Sequence, residues 1–344
     1  MSYKKYNFRT GITKLKTKTF VTLSILGLSL GGGGLSLAIF GAAHADTLNT
    51  DFESYSLGNV NQNGWSMSGP YDAAISSNTS GSSSFGSQSL RMSNATTSGS
   101  FGDWLFSPSL TNEAGETAAD NGGLSGGVRQ NHFETSWDIA SATPNSYQPD
   151  LQISASPDRG DGARMSFLRF RDTLTGLAVD FADYQSGVNE TGCAAGSNFI
   201  TTTVAQNLNR TQTHNIRLSM DFVDGANNDV VKVYVDNVLV HTGTSWEGYF
   251  NECEHNPTRT VDSVLFQARD SGGTAPLTVG NGFLIDNFSE MSSTLTSPTS
   301  KDSCKNGGWA NMNNPSFKNQ GLCVSWVEHN ILGNGTPAAN KPGH

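Results

Sequence analysis

The chain has 344 residues, of which 15% are charged, and its 21 basic and 30 acidic side chains give a formal net charge of −9. Six of the basic side chains and none of the acidic ones precede Asp46, so the remainder holds 15 basic and 30 acidic groups, a net charge of −15. Proteins that bind nucleic acid need a basic surface, and this balance excludes nucleic acid as a partner. About 300 residues after the leader are enough for one large domain or two smaller ones.

Residues 1–45 have the pattern of a secretory signal peptide. Six basic side chains precede an apolar run from Phe20 to Phe40, and a small-x-small motif follows that ends at Ala45. This order predicts cleavage after Ala45 and a protein that is secreted or held at the cell surface. The apolar run is nearly long enough to span a bilayer, so an uncleaved anchor is the alternative. Only this segment is expected to contact the membrane.

Residues 46–291 contain short strand-like stretches separated by turns rich in Gly, Ser, Asn and Asp. In chain order, the predicted strands are TDFESYSLG, GWSMSG, SLRMSN, DWLFSPSL, HFETSWDIAS, DLQISAS, RMSFLRFRD, LAVDFADYQ, THNIRLSMDFVD, DVVKVYVDN, VLVHTG, SVLFQARD and GFLIDNFSEM. Most of them alternate apolar and polar residues, and no helical repeat lies between them. The pattern predicts an all-β fold in which two antiparallel sheets pack as a sandwich, rather than a parallel sheet with helical crossovers.

Two hairpins are predicted in the middle of this region. The letters DGANN separate the first pair of strands, and Asp236-Asn237, two residues that tolerate positive φ, separate the second pair. The three strands therefore form a meander. Period-2 alternation places Val231, Val233 and Val235 on its core side.

Three segments are predicted after the sandwich. Residues 292–303, SSTLTSPTSKDS, form a linker rich in Ser and Thr. Residues 304–330 are too few to bury a core alone, so this motif is expected to depend on a disulfide. Residues 331–344 are predicted to be a disordered polar tail.

The four cysteines all follow the leader, which suits an oxidising compartment. Their positions suggest that Cys193 pairs with Cys253 and that Cys304 pairs with Cys323. Four cysteines nevertheless allow three connectivities, and the sequence leaves them open. Zinc is not expected, because the cysteines are predicted to be bonded and the histidines lack ligand spacing.

Four stretches together resemble the laminin-G-like jelly rolls of the concanavalin A-like lectin/glucanase superfamily. They are SPDRGDGARMSFLRFRD, NDVVKVYVDNVLVHTGTSWEGYF, VDSVLFQARDSGGT and GNGFLIDNFSE, and the resemblance covers residues 48–291. In the hairpin VYVDNVLVHTG, Asn237 stands where such domains usually have Gly. The Cys-bearing C-terminus resembles short tails of other secreted bacterial proteins. The resemblance implies a sandwich with a concave face, a fold that hosts lectins, carbohydrate-binding modules, glucanases, lyases and adhesion domains, so it does not choose a function.

Carboxylates that could support catalysis are sparse. The Glu-x-Asp-x-Glu strand that the resemblance implies for a glucanase is missing, as are the motifs of jelly-roll lyases. His132, Glu134 and Asp138 share one face of a predicted strand, and they are the candidates for a hydrolase or lyase with an atypical site. The alternative interpretation is an exposed polar face of a strand whose other face packs in the core.

The resemblance also implies a structural Ca²⁺ where the first and last strands meet. Asp51, Glu53 and Asp286 are in matching places and supply the oxygen ligands that this ion prefers. Asp158 and Asp161, in a glycine-rich loop, are a second candidate pair. In both places the alternative is a set of ordinary surface carboxylates.

Aromatic side chains beside polar ones are what a sugar site needs. Trp246, Glu247 and Tyr249 form the best candidate set, on a segment that Cys253 is expected to tether. Because this motif recurs in the signature of the fold that the resemblance implies, the interpretation favoured for Trp246 itself is that it closes the sandwich. The sequence therefore favours a secreted or cell-surface binding domain, adhesive or lectin-like, whose partner is a glycan or a cell-surface protein. The alternatives are a secreted polysaccharide hydrolase or lyase and a purely structural surface protein.

Overall fold

The computed structural model describes residues 45–81, 83–97, 104–119, 127–186, 198–255, 259–268 and 274–331. Its strands form two antiparallel sheets. The eight-stranded sheet contains β1 (Asp46–Thr50), β3 (Asp72–Ser77), β4 (Gln88–Ser93), β6 (His132–Ser141), β11 (His214–Asp221), β12 (Val230–Val235), β13 (Val238–Gly243) and β15 (Phe283–Ser293). The seven-stranded sheet contains β2 (Ser66–Ser68), β5 (Trp104–Phe106), β7 (Gln152–Asp158), β8 (Leu168–Thr173), β9 (Gly176–Tyr184), β10 (Phe199–Leu208) and β14 (Ser263–Gln267). The predicted all-β sandwich is confirmed.

The order of strands brings the first and last strands together. The eight-stranded sheet runs β13-β12-β11-β6-β15-β4-β3, and β1 pairs with β15 so that Leu48 lies opposite Glu290. The seven-stranded sheet runs β10-β9-β8-β7-β14-β5-β2. The predicted meander of β11, β12 and β13 forms one edge of the larger sheet.

The core lies between the two sheets and is rich in aromatic rings. Trp137 of β6 contacts Phe170 and Phe266 of the opposite sheet, with ring centroids 5.9 and 5.6 Å apart. On β12, Val231 and Val233 are fully buried, as their alternation predicts. Burial of such large apolar side chains is the main term that favours folding.

The structure differs from the sequence prediction at three places. Strands β3 and β10 were not predicted, because short Ala/Ser and Thr/Gln/Asn stretches lack a clear apolar alternation. The first strand ends at Thr50, and Phe52 has a φ of 58° and is buried. Asp51 and Glu53 consequently lie in the turn after β1 rather than on the strand. After β13 the chain forms a short helix, α1 (Glu247–Tyr249), followed by a wide helical turn over Phe250–Glu254.

The C-terminal segment has its own small core around a disulfide. Cys304 and Cys323 are bonded, and Met312 and Val327 pack beside them. Helix α2 (Gln320–Asn330) begins after Asn319, whose side chain accepts the backbone N–H of Leu322 over 3.0 Å and caps the helix. Within the described residues, no helix has the length and apolar character needed to cross a membrane.

The segment between the sandwich and this motif is hydrogen-bonded to both. The backbone N–H of Leu295 donates to Asn131, and that of Thr296 donates to Asn313, each over 2.6 Å. Cys253 is also disulfide-bonded. Its predicted partner, Cys193, lies outside the described residues.

Candidate functional site

An aromatic cleft of about 450 Å³ lies beside the start of β10. Its walls come from the loop after β7, from β10, from α1 with the turn that follows it, and from the stretch that precedes β14. The residues that line it are Asp161, Gly162, Ala163, Arg164, Phe199, Trp246, Tyr249, Phe250, Glu254 and Arg259. We call this site the aromatic cleft.

Trp246 is held firmly in the wall of the aromatic cleft. Its indole Nε1 donates to the carbonyl of Ala182 over 2.8 Å. Its ring is nearly parallel to that of Phe167, with centroids 6.2 Å apart, and Phe199 meets it edge-on at 4.5 Å. Tyr249 extends the aromatic surface and lies 5.2 Å from Phe199. Trp246 therefore packs against the core of the sandwich and also lines the cleft.

Charged side chains flank the aromatic rings. Arg259 lies 3.3 Å from Glu254 and 3.9 Å from Asp161, and its guanidinium stands 4.9 Å over the ring of Phe250. Arg164 is the second guanidinium of the cleft. Aromatic faces stack on the apolar faces of sugar rings, while guanidinium and carboxylate groups bind hydroxyls. The aromatic cleft has both kinds of group.

The loop after β7 is shaped by Asp158. One oxygen of its carboxylate accepts the backbone N–H groups of Gly160, Asp161 and Gly162 over 2.7 to 3.1 Å. Burial, and then the charge of Asp161, raises the pKa of Asp158 to about 6. Asp158 is therefore the side chain that closes the turn, and it holds Asp161 and Gly162 in the wall of the aromatic cleft.

Of the three predicted ligand-binding residues, Trp246 and Tyr249 line the cleft and Glu247 does not. Glu247 is 1% exposed, and its carboxylate accepts the backbone N–H of Asn227 over 2.9 Å. Burial raises its pKa. The physical reason for the difference is the helical turn of α1, which rotates successive side chains by about 100° and separates Glu247 from its neighbours.

Glu247 belongs instead to a buried group that we call the acidic cluster: Glu116, Asp229 and Glu247. One carboxylate oxygen from each residue lies within 4.8 Å of the other two. Burial, opposed by the hydroxyl of Ser245 and the N–H of Val223, raises the pKa of Asp229 to about 7. Sequence reasoning missed Glu116 and Asp229, because they are far apart in the chain and follow no local spacing.

The predicted calcium ligands lie near the place where β1 and β15 meet, close enough for the charges of Glu53 and Asp51 to act on Asp286. Burial, together with the nearby charges of Glu53, Asp51 and Asp138, raises the pKa of Asp286 to about 8. The Glu53 carboxylate accepts the N–H groups of Ser87 and Gln88 and the Ser87 hydroxyl, which lower its own pKa. A set of ligands made only of carboxylate oxygens suits Ca²⁺. The acidic cluster, however, is the only such group in the described residues with three oxygens within 4.8 Å.

His132, Glu134 and Asp138 do share the outer face of β6, but they do not converge. Glu134 and Asp138 are four residues apart on the strand, which separates their Cα atoms by roughly 13 Å. His132 Nδ1 lies 2.6 Å from a carboxylate oxygen of Asp221, and Glu134 is paired with Arg217 at 2.9 Å. Asp138 accepts side-chain N–H groups of two asparagines. Each side chain is engaged by its neighbours on the sheet.

Comparison with known proteins finds no matching family model and no matching curated protein. Among solved structures, similar chains include an alginate lyase in complex with alginate tetrasaccharide, with 10% identity over 72% of this chain and 96% of that chain and a TM-score of 0.38. A laminarinase from Rhodothermus marinus has 9% identity over 73% and 98% of the two chains and a TM-score of 0.38. A carbohydrate-binding module from Bacillus subtilis has 10% identity over 67% and 98%, with a TM-score of 0.32. These neighbours act on or bind carbohydrates, and similarity at this level implies no shared activity.

Proposed function

We propose that this protein is an exported, non-catalytic glycan-binding protein and that the ligand packs in the aromatic cleft. One observation carries the proposal: Phe199, Trp246 and Tyr249 form a continuous aromatic surface beside Arg164 and Arg259 in a concave site. Rings that pack on one another lose little conformational freedom when a ligand binds, and this favours affinity. A protein partner at the cell surface is the alternative occupant.

Binding rather than catalysis is favoured by the surroundings of the carboxylates. Hydrolysis of a glycosidic bond uses two carboxylates, about 5 to 9.5 Å apart, that face the scissile bond. In the aromatic cleft, Asp161 and Glu254 are both engaged by Arg259. On β6, Glu134 is paired with Arg217 and Asp138 accepts side-chain N–H groups of two asparagines, so both carboxylates of the alternative site are already engaged on the sheet.

The experiment that tests the proposal is a glycan array probed with the mature protein, once with Ca²⁺ and once with EDTA. We expect binding to a restricted set of glycans. Each bound glycan is then incubated with the protein and analysed for new reducing ends and for unsaturated products. Glycans that are recovered intact support the proposal. Cleaved glycans would establish the hydrolase or lyase alternative, and an array without any bound glycan would leave the cell-surface protein as the ligand class.

Export to the cell surface or the medium is part of the proposal. It is supported by the predicted signal in residues 1–45 and by the Cys304–Cys323 disulfide, since disulfides persist in oxidising compartments. Mass spectrometry of the protein recovered outside the cell should give a chain that begins at Asp46. A chain that keeps residues 1–45 and remains with the membrane fraction would show that the segment is an anchor.

We also propose that Asp51, Glu53 and Asp286 hold a structural Ca²⁺. The raised pKa of Asp286, beside the charges of Glu53 and Asp51, supports a cation there, because a divalent ion would offset their mutual repulsion. The ion would tie the turn after β1 to β15, the last strand of the sandwich.

A further inference from the structure

The acidic cluster lies outside the aromatic cleft and brings together three distant parts of the chain. Glu116 comes from the loop after β5, Asp229 immediately precedes β12, and Glu247 is the first residue of α1. Their exposed fractions are 6%, 3% and 1%, so all three are buried. Carboxylates are rarely buried unless a partner compensates their charge.

Hydrogen bonds satisfy only part of this cluster. Glu116 Oε2 accepts the N–H of Gly225 over 3.1 Å, and Asp229 accepts the Ser245 hydroxyl over 2.6 Å. Glu116 Oε1 is buried and has no hydrogen-bond partner in the described part of the chain. No ion pair formed by Glu116, Asp229 or Glu247 is found among the described residues. One buried oxygen and the charge of the group are thus left uncompensated.

A buried group of this kind needs either protons or a cation. The donors around it are backbone N–H groups, the Ser245 hydroxyl and, at 3.5 Å, the side-chain N–H of Asn251, and these neutral groups bring no positive charge to the three carboxylates. All ligand atoms are oxygens, which suit Ca²⁺ or Mg²⁺ and not the metals that favour imidazole or thiolate. Mg²⁺ usually keeps several of its waters, whereas Ca²⁺ accepts a site that is made mostly of protein oxygens. We propose that Glu116, Asp229 and Glu247 bind one Ca²⁺.

The position of Glu247 connects this site with the aromatic cleft. Glu247 directly follows Trp246, and Tyr249 belongs to the same short helix. A cation bound to Glu247 and Asp229 would fix α1 against the turn before β12. If the aromatic cleft binds glycan, as proposed above, the ion would thereby hold two of the aromatic side chains of the cleft in place.

The test is a calcium titration of the mature protein. Metal is first removed with EDTA, and the binding of Ca²⁺ alone is then measured by isothermal titration calorimetry. The variants are Glu116→Gln and Asp229→Asn, and the matched control is Glu328→Gln, a surface carboxylate of the C-terminal motif. We expect each of the two variants to bind one equivalent of Ca²⁺ less than the wild type, and the control to bind the same number. Unchanged stoichiometry in both variants, with circular dichroism that shows them folded, would overturn the proposal.

Stability gives a second readout that a merely structural cluster would not produce. Without metal, Glu116→Gln removes a buried carboxyl group that lies beside two others, so the variant should melt at or above the wild type. With millimolar Ca²⁺ the order should reverse. A variant that melts lower under both conditions would show that Glu116 acts only through its hydrogen bonds, and this would overturn the metal site.

Measurements of glycan binding distinguish a failure of this inference from a failure of the proposed function. A cleft ligand that binds the wild type with Ca²⁺, and at least tenfold more weakly with EDTA or in Glu116→Gln, supports both the site and its link to the cleft. Normal calcium binding without any glycan binding supports the metal site and contradicts the proposed function. Glycan binding that is the same in Glu116→Gln, after calcium loss is shown by calorimetry, would overturn the link alone.

Discussion

Glu247 accepts the backbone N–H of Asn227 over 2.9 Å, and this bond joins helix α1 to the turn that precedes β12. The same turn supplies Asp229, whose carboxylate accepts the Ser245 hydroxyl just ahead of Trp246. The wall of the aromatic cleft is therefore anchored from its buried side. The residue that sequence reasoning placed in the binding face is the one that fastens that face to the sandwich.

Tyr249→Ala tests the aromatic cleft directly. The change removes ring contacts with Phe199 and Phe250, whose centroids lie 5.2 and 5.3 Å away, and leaves Trp246 in place. Aromatic contacts contribute about 0.5–1.5 kcal/mol beyond the area they bury, so glycan affinity should fall about tenfold or more. The measurement is titration calorimetry with a glycan identified on the array.

The matched control for this change is Tyr147→Ala. Tyr147 is a partly exposed aromatic residue with an arginine, Arg210, 5.9 Å over its ring, and it lies outside the aromatic cleft. It should keep wild-type affinity. Loss of affinity in Tyr147→Ala and not in Tyr249→Ala would place the ligand elsewhere on the sandwich.

The fold was largely accessible from the sequence because its signals are local. The alternation of Val231, Val233 and Val235 predicts a half-buried strand, and Asp236-Asn237 predicts the turn; their φ angles of 51° and 65° agree with it. The acidic cluster carries no such signal. Its residues meet only because the loop after β5, the turn before β12 and α1 converge in three dimensions.

The candidate binding site was predicted in part for the same reason. A pair of aromatic residues just after the end of a strand indicates the rim of a binding site, and Trp246 and Tyr249 do line a cleft. Which way Glu247 turns depends on whether the segment is extended or helical. A three-residue helix is too short to leave a periodic pattern in sequence.

Glu290→Gln should change how stability depends on pH. Glu290 is fully buried, and burial, followed by the charges of Asp262 and Asp46, raises its pKa well above the ordinary value of 4.5. The unfolded chain loses this proton near pH 4.5, whereas the folded chain keeps it to higher pH. The stability from Glu290 is therefore complete below pH 4.5 and is lost as pH rises toward the folded-state pKa.

Glutamine keeps an oxygen that can accept the Ser107 hydroxyl, which lies 3.1 Å from Glu290, and carries no charge. Melting temperatures measured with EDTA at pH 5 and pH 8 should fall less in Glu290→Gln than in the wild type. Glu134→Gln, a change at a surface ion pair, serves as the control and should follow the wild type. Parallel pH profiles for Glu290→Gln and the wild type would contradict the prediction.

Substitutions of Asn237 should separate backbone strain from packing. Asn237 has a φ of 65° in the β12–β13 turn, a conformation that costs a β-branched residue about 1–2 kcal/mol. Asn237→Val should lower the free energy of unfolding by that amount, while Asn237→Gly should leave it equal or slightly higher. Urea denaturation measures both, with Thr242→Val on exposed β13 as the control. Equal stability of the Val and Gly variants would show that the turn relaxes without strain.

The calcium site at the junction of β1 and β15 is best tested in a Glu116→Gln background, where the calcium site proposed at the acidic cluster is lost. An ion that binds only the folded chain stabilises it by about 2.7 kcal/mol at a hundredfold excess over Kd. Millimolar Ca²⁺ should therefore raise the melting temperature above its value in EDTA. Adding Asp286→Asn should abolish the difference between the melting temperatures in Ca²⁺ and in EDTA. Identical melting of the Glu116→Gln protein in Ca²⁺ and in EDTA would show that the three carboxylates hold no ion, and that the fold joins its first and last strands by their backbone hydrogen bonds and packing alone.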